Sequence, residues 1–142
     1  MRSALLVLVL SVLALPAFAQ ERTIEMREAL VRLARVLGES HALRQTCEGT
    51  DDQFWRSRMN RLAETEQAEP VLDREMKDAF NAGFAGARRL YSECSEPARR
   101  AERPAAERGH EIALGLSQSK YRVTTVLPPE GAEDVTAEPA PR

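Results

Sequence analysis

The chain has 142 residues, with 20 Lys and Arg set against 22 Asp and Glu, a formal net charge of −2, and two cysteines. That length suits one domain. The even charge balance argues against a nucleic-acid partner, whose binding relies on a basic face that displaces counterions.

In chain order, Met1-Arg2-Ser3 gives a short basic start, residues 4–15 are apolar, and Ala17-Phe18-Ala19 precedes Gln20. These are the three parts of a cleavable secretory signal peptide, assigned to residues 1–19. The apolar run falls short of the roughly 20 residues that span a bilayer. Gln20, not a cysteine, would follow the cut, so neither a membrane anchor nor a lipid anchor is expected to remain. The expected location is the periplasm.

A helix is predicted over residues 23–47. Ala29, Leu33 and Val36, then Leu43 and Cys47, with Ser40 filling the gap between, step by threes and fours along one face, and Met26, Leu30 and Leu37 widen it. Gly49 supplies the stop. A second helix is expected from Thr50 or Asp51 to about Ala68. Thr50 and Gln53 have capping-box spacing, and Phe54, Trp55, Met59 and Leu62 form the apolar side. Pro70 opens a third helix, whose stripe runs Leu72, Met76, Ala79, Phe80, Gly83, Ala87, Leu90, Cys94. Ser95 caps a fourth, which Pro104 should kink or divide. Residues 121–127 alone have strand-like composition. The helical domain is assigned to residues 20–122, and residues 123–142, rich in Pro, Glu and Ala, to a disordered tail.

Short connections make successive helices alternate in direction, so the first and third run parallel. Cys47 and Cys94 then reach the same pole on inward faces. In an oxidising compartment a lone pair of cysteines joins. Closing a loop of about 48 residues removes unfolded-state entropy worth about 4 kcal/mol. No Cys-x-x-Cys occurs, and His41 and Cys47, six apart, point to different sides of a helix, which argues against zinc. The expected fold class is all-α: an up-down bundle of three to four helices, with one disulfide joining helices 1 and 3.

Leu43-Arg44 before Cys47, Trp55-Arg56 with Met59, Phe80-Asn81 with Gly83, then Tyr91 and Cys94 form an ordered pattern. It resembles a family of small, exported, uncharacterised proteobacterial proteins catalogued as a domain of unknown function, over roughly residues 25–120. The resemblance implies a disulfide and no established activity. The chain departs from the family pattern in the fourth helix, at Pro104 and Gly109.

Few residues suggest chemistry. His41 and His110 form no His-x-x-x-His pair and read as partly exposed surface histidines. No serine lies in a Gly-x-Ser-x-Gly context. Glu64 with Glu66, and Asp73 with Glu75, read as solvated faces, although two carboxylates in a cleft would suit a small cell-wall hydrolase. Across the Gly49 turn, Arg44 and Arg56 with Trp55 are a candidate pocket for a small anionic ligand, the alternative being an Arg56–Asp52 pair with Trp55 in the core. Ala79, Gly83 and Ala87 are candidate helix-packing positions. No metal and no cofactor is expected. The leading expectation is a non-enzymatic binding or accessory protein whose partner is an envelope protein; a carboxylate hydrolase and an anion binder are the alternatives.

Overall fold

The computed structural model describes residues 22–126, which form four helices: α1 (Ile24–Glu48), α2 (Phe54–Glu66), α3 (Pro70–Leu90) and α4 (Glu96–Val126). The signal peptide assigned to residues 1–19, and residues 127–142 of the tail assigned to 123–142, lie outside the described residues; residues 123–126 of that assignment belong to α4. The expected all-α bundle with one disulfide is what the chain forms.

The termini follow local chemistry. Thr23 accepts a hydrogen bond from the Met26 N–H and caps α1. Gly49, at φ 102°, ends α1 in a conformation that costs a side chain dearly. Pro70 occupies the first turn of α3. Ser95 Oγ accepts from the Ala98 N–H at the start of α4.

Three boundaries differ from expectation. The capping box at Thr50 does not form, because α2 starts at Phe54: the Asp52 carboxylate accepts the Phe54 N–H at 3.1 Å and is held by Arg44 of α1 at 2.9 Å. α3 ends at Leu90, so Cys94 stands in the connection that follows it. α4 runs unbroken through Pro104 and on to Val126, taking in residues 121–126 of the stretch with strand-like composition. Pro104 and Arg100, whose carbonyl loses its helical N–H donor to the proline, both lie on exposed positions, where water can hydrate that carbonyl. The strand-like residues have no sheet to join, and β preference expresses itself through cross-strand neighbours.

Cross-links between helices give the directions. Arg27 meets Glu75 at 3.3 Å, and Thr46 Oγ1 donates to the Tyr91 carbonyl at 3.2 Å, so α1 and α3 run parallel. Arg44 meets Glu102 at 3.6 Å and Glu39 meets Arg108 at 2.6 Å, so α4 runs antiparallel to α1. α1 is the central rod. It packs on each of the other three, whereas α3 and α4 bring no Cα atoms within 8 Å of each other.

The closest seam is between α1 and α3. A Cβ on Gly38 would overlap the Phe80 carbonyl oxygen and lie 2.7 Å from its carbon; a Cβ on Gly83 would overlap the Arg35 carbonyl oxygen. Each glycine thus receives the other helix's backbone, and the dispersion attraction between the two backbones offsets the lost helix propensity. On either side of this notch the core changes character. One half is large: Leu30, Leu33, Met59, Leu72, Met76 and Phe80. The other is small: Ala42, Leu43, Ala87 and Ala105. Alanine buries little apolar area, so the second half contributes less per residue.

The cross-link sits at that weaker end. Cys47 and Cys94 are bonded, with an S–S distance of 2.09 Å and Cα atoms 4.7 Å apart. It ties the last turn of α1 to the α3–α4 connection. The thiols were expected on inward faces. Instead Cys47 is half-buried and Cys94 is exposed, because α3 has already ended and the chain is turning outward.

Candidate functional site

Beside the notch, towards the N-terminal ends of α1 and α3, the two helices leave an open furrow of about 580 Å³ lined by Ile24, Arg27, Glu28, Val31 and Arg32 of α1 and by Glu75 and Asp78 of α3. Ile24, Glu28 and Val31 follow i, i+4, i+7 spacing, so they share one face of α1. Val71 lies one turn before Glu75 on the corresponding face of α3. Ile24 is 72% exposed and Val71 60% exposed. The wall charges are mostly internally paired: Arg27 with Glu75 and Glu69, and Arg32 with Glu28 at 3.6 Å. Asp78 makes no ion pair among the described residues. The furrow therefore offers aliphatic side chains and one carboxylate to whatever docks there.

The Arg44 region is built differently from the expected anion pocket. Arg44 Nε donates to Asp52 at 2.9 Å, and its other arm meets Glu102 of α4 at 3.6 Å. Trp55 Nε1 donates to the same Glu102 oxygen at 3.4 Å. The Phe54 ring stacks edge-on against Trp55 and lies under both Arg44 and Arg58. Burial opposes ionisation of Asp52, yet the Arg44 hydrogen bond and the Phe54 N–H outweigh it and hold the carboxyl below its ordinary value. So Arg44 and Trp55 do converge, but on Glu102, and Arg44's positive charge is already met by two carboxylates. Arg56 is carried to another side of α2, where its guanidinium lies 5.3 Å above the Phe80 ring. It joins neither Arg44 nor Asp52. This node is a brace between α1, α2 and α4, with its donors occupied from within.

His41 also departs from expectation. It is completely buried, with the Phe80 and Phe84 ring centroids 5.7 and 5.5 Å from its own, and neither ring nitrogen has a hydrogen-bond partner. The stripe of α1 is wide enough at this level, from Leu37 to Leu43, to draw the histidine inward. His110 is exposed.

Of the packing positions, Gly83 faces the α1 backbone, Ala87 is buried in the small-residue half of the core, and Ala79 is half-buried against the large-residue half. Gly38, Glu102 and the furrow were not anticipated from the sequence. Ile24 and Val31 carry the one local signal for the last: aliphatic residues seven apart, off the main stripe of a helix whose remaining outer face is charged. Among the described residues, no helix is long and apolar enough to cross a membrane.

No curated protein and no solved structure matches the chain. A family model does match, over residues 26–121, from within the first turn of α1 deep into α4 and across both cysteines. The chain belongs to that family, described as a protein of unknown function, DUF2385.

Proposed function

We propose that the chain is an exported, non-enzymatic binding module of the cell envelope, which presents the α1–α3 furrow to an aliphatic segment of an envelope protein carrying a basic residue. The furrow carries this reading: exposed Ile24 and partly exposed Val31 beside the uncommitted Asp78 carboxylate, on a scaffold cross-linked at its other end. Exposed aliphatic side chains collected in one groove favour association through the apolar area they remove from water. Asp78 gives the occupant its charge preference, since a basic residue placed there gains an ion pair that no side chain of the bundle supplies. Signal cleavage after Ala19, a periplasmic location and a proteobacterial origin belong to the same proposal. Supporting the compartment is the Cys47–Cys94 bond, a type of link that persists where thiols are not kept reduced.

The test is retention from periplasmic extract on immobilised protein beginning at Gln20, run beside Ile24→Glu and Val31→Glu variants of matching circular dichroism. Wild type should hold one envelope protein in stoichiometric amount, and each variant should hold at least tenfold less. Equal retention by the variants overturns the reading. So does release of wall fragments by the purified protein, which would favour hydrolysis.

A further inference from the structure

We propose that His41 is an acid-operated latch on the α1–α3 seam: in mildly acidic medium it takes up a proton, and the Phe80 and Phe84 rings withdraw from it while both ends of the seam stay joined. The imidazole is completely buried, neither nitrogen has a side-chain or backbone partner, and the ring packs beside the two α3 phenyl groups, closed off from bulk solvent. A neutral ring in such a place leaves one donor and one acceptor unmet. A protonated ring would bury a full charge with two unmet donors, which costs far more.

The surroundings do not relieve that charge. α3 presents the Phe80 and Phe84 rings. From α2 comes Arg56, a like charge; from the α1–α2 connection comes Asp52, whose carboxylate is engaged by Arg44. Along the α1–α4 seam the charged groups before and after His41 are already paired, Glu39 with Arg108 and Arg44 with Glu102. Burial first, and Arg56 second, accordingly push the His41 pKa below its ordinary value. A proton can settle on His41 only in a state that admits water.

The fold restricts which state that is. Three residues before His41, Gly38 is interlocked with Phe80's backbone; six residues after it, Cys47 is bonded to Cys94. The seam is pinned on both sides of the histidine, so opening is local. Sign follows from linkage: the unfolded or opened chain binds a proton near pH 6.5 and the closed one does not, so acid favours opening.

The experiment uses the full disulfide-bonded chain with His110→Gln, in which His41 is the sole imidazole. Between pH 7.5 and 5.0 the closing equilibrium should weaken, by up to about 30-fold. Amide protection over residues 84–88, between the Gly83 contact and the disulfide, should fall before that of the α1 residues around Leu30, and a His41→Leu variant should show neither change. Two results overturn the latch: wild type and His41→Leu losing protection in parallel, or an imidazole NMR signal that titrates while protection holds. Should His41→Leu not fold, the NMR signal and the protection pattern of the parent chain decide alone.

Discussion

Gly83 and Gly86 stand three residues apart on the same helix and should respond to alanine in opposite directions. At Gly83 a methyl group would overlap the Arg35 carbonyl, which is helix backbone and cannot yield cheaply; at Gly86 nothing lies within 4 Å. Gly83→Ala should therefore lose about 2 kcal/mol, as overpacking outweighs the improved propensity. Gly86→Ala should gain about 0.5–1 kcal/mol. Urea unfolding of the two variants checks both signs, and a stable Gly83→Ala would refute the notch. Gly83 was legible as part of a small-residue stripe. Its partner Gly38 was not, because a glycine within a strong apolar pattern carries no mark of what approaches it. His41 was misplaced for a related reason: composition assigns histidine to surfaces, and burial is set by how wide the neighbouring stripe becomes.

At the scale of elements, α1 and α3 were readable because their apolar periods are long and close to unbroken. The start of α2 was not. A local capping signal at Thr50 lost to a tertiary ion pair, since Asp52 gains both the Phe54 N–H and the Arg44 guanidinium by entering the turn as it does. α4 shows the converse: Pro104 was expected to break it, yet an exposed carbonyl finds water, and packing against α1 on both sides of the proline keeps one axis. The Arg44 brace gives the prediction belonging to this scale. Arg44→Ala leaves the partly buried Asp52 and Glu102 without their cation and should cost about 1–2 kcal/mol, a range reduced from the buried-pair value because both partners see solvent. Its pH signature is specific. A carboxyl held below its unfolded value stabilises the fold above that value, near pH 3.9, and the benefit is lost as pH falls through the folded value. Wild type should thus lose more stability than Arg44→Ala on acidification below about pH 4, as thermal melts would reveal. An equal loss would mean that the brace is decorative.

For the molecule as a whole, stability is unevenly distributed. The buried side chains are mostly large in one half and mostly alanine in the other, where Leu43 is the large one, and the disulfide lies at the alanine-rich end. Cross-linking residues 47 apart restricts the unfolded chain by up to about 4 kcal/mol. Replacing both cysteines by serine should remove a sizeable part of that, with amide protection lost first around Ala42, Ala87 and Ala105 and last around Leu30 and Met76. Hydrogen exchange on the double variant tests it; uniform loss would show that the two halves unfold together. The same asymmetry leaves the furrow in the better-packed half, where a rigid binding face belongs, and the proposed latch at the border of the two halves, with Phe80 on one side and Phe84 on the other.

By itself the sequence determined the helical class, the parallel run of α1 and α3 and the cysteine pairing, because apolar period, helix-stopping residues and chain direction are local or additive properties. Only the tertiary structure decided that Arg44 would be neutralised by Glu102, that His41 would be sealed between two phenyl rings, and that Ile24, Val31 and Asp78 would border one furrow. Each of those depends on side chains distant in sequence meeting across a seam, and the rotation of one helix against another is fixed by the packing of the whole bundle.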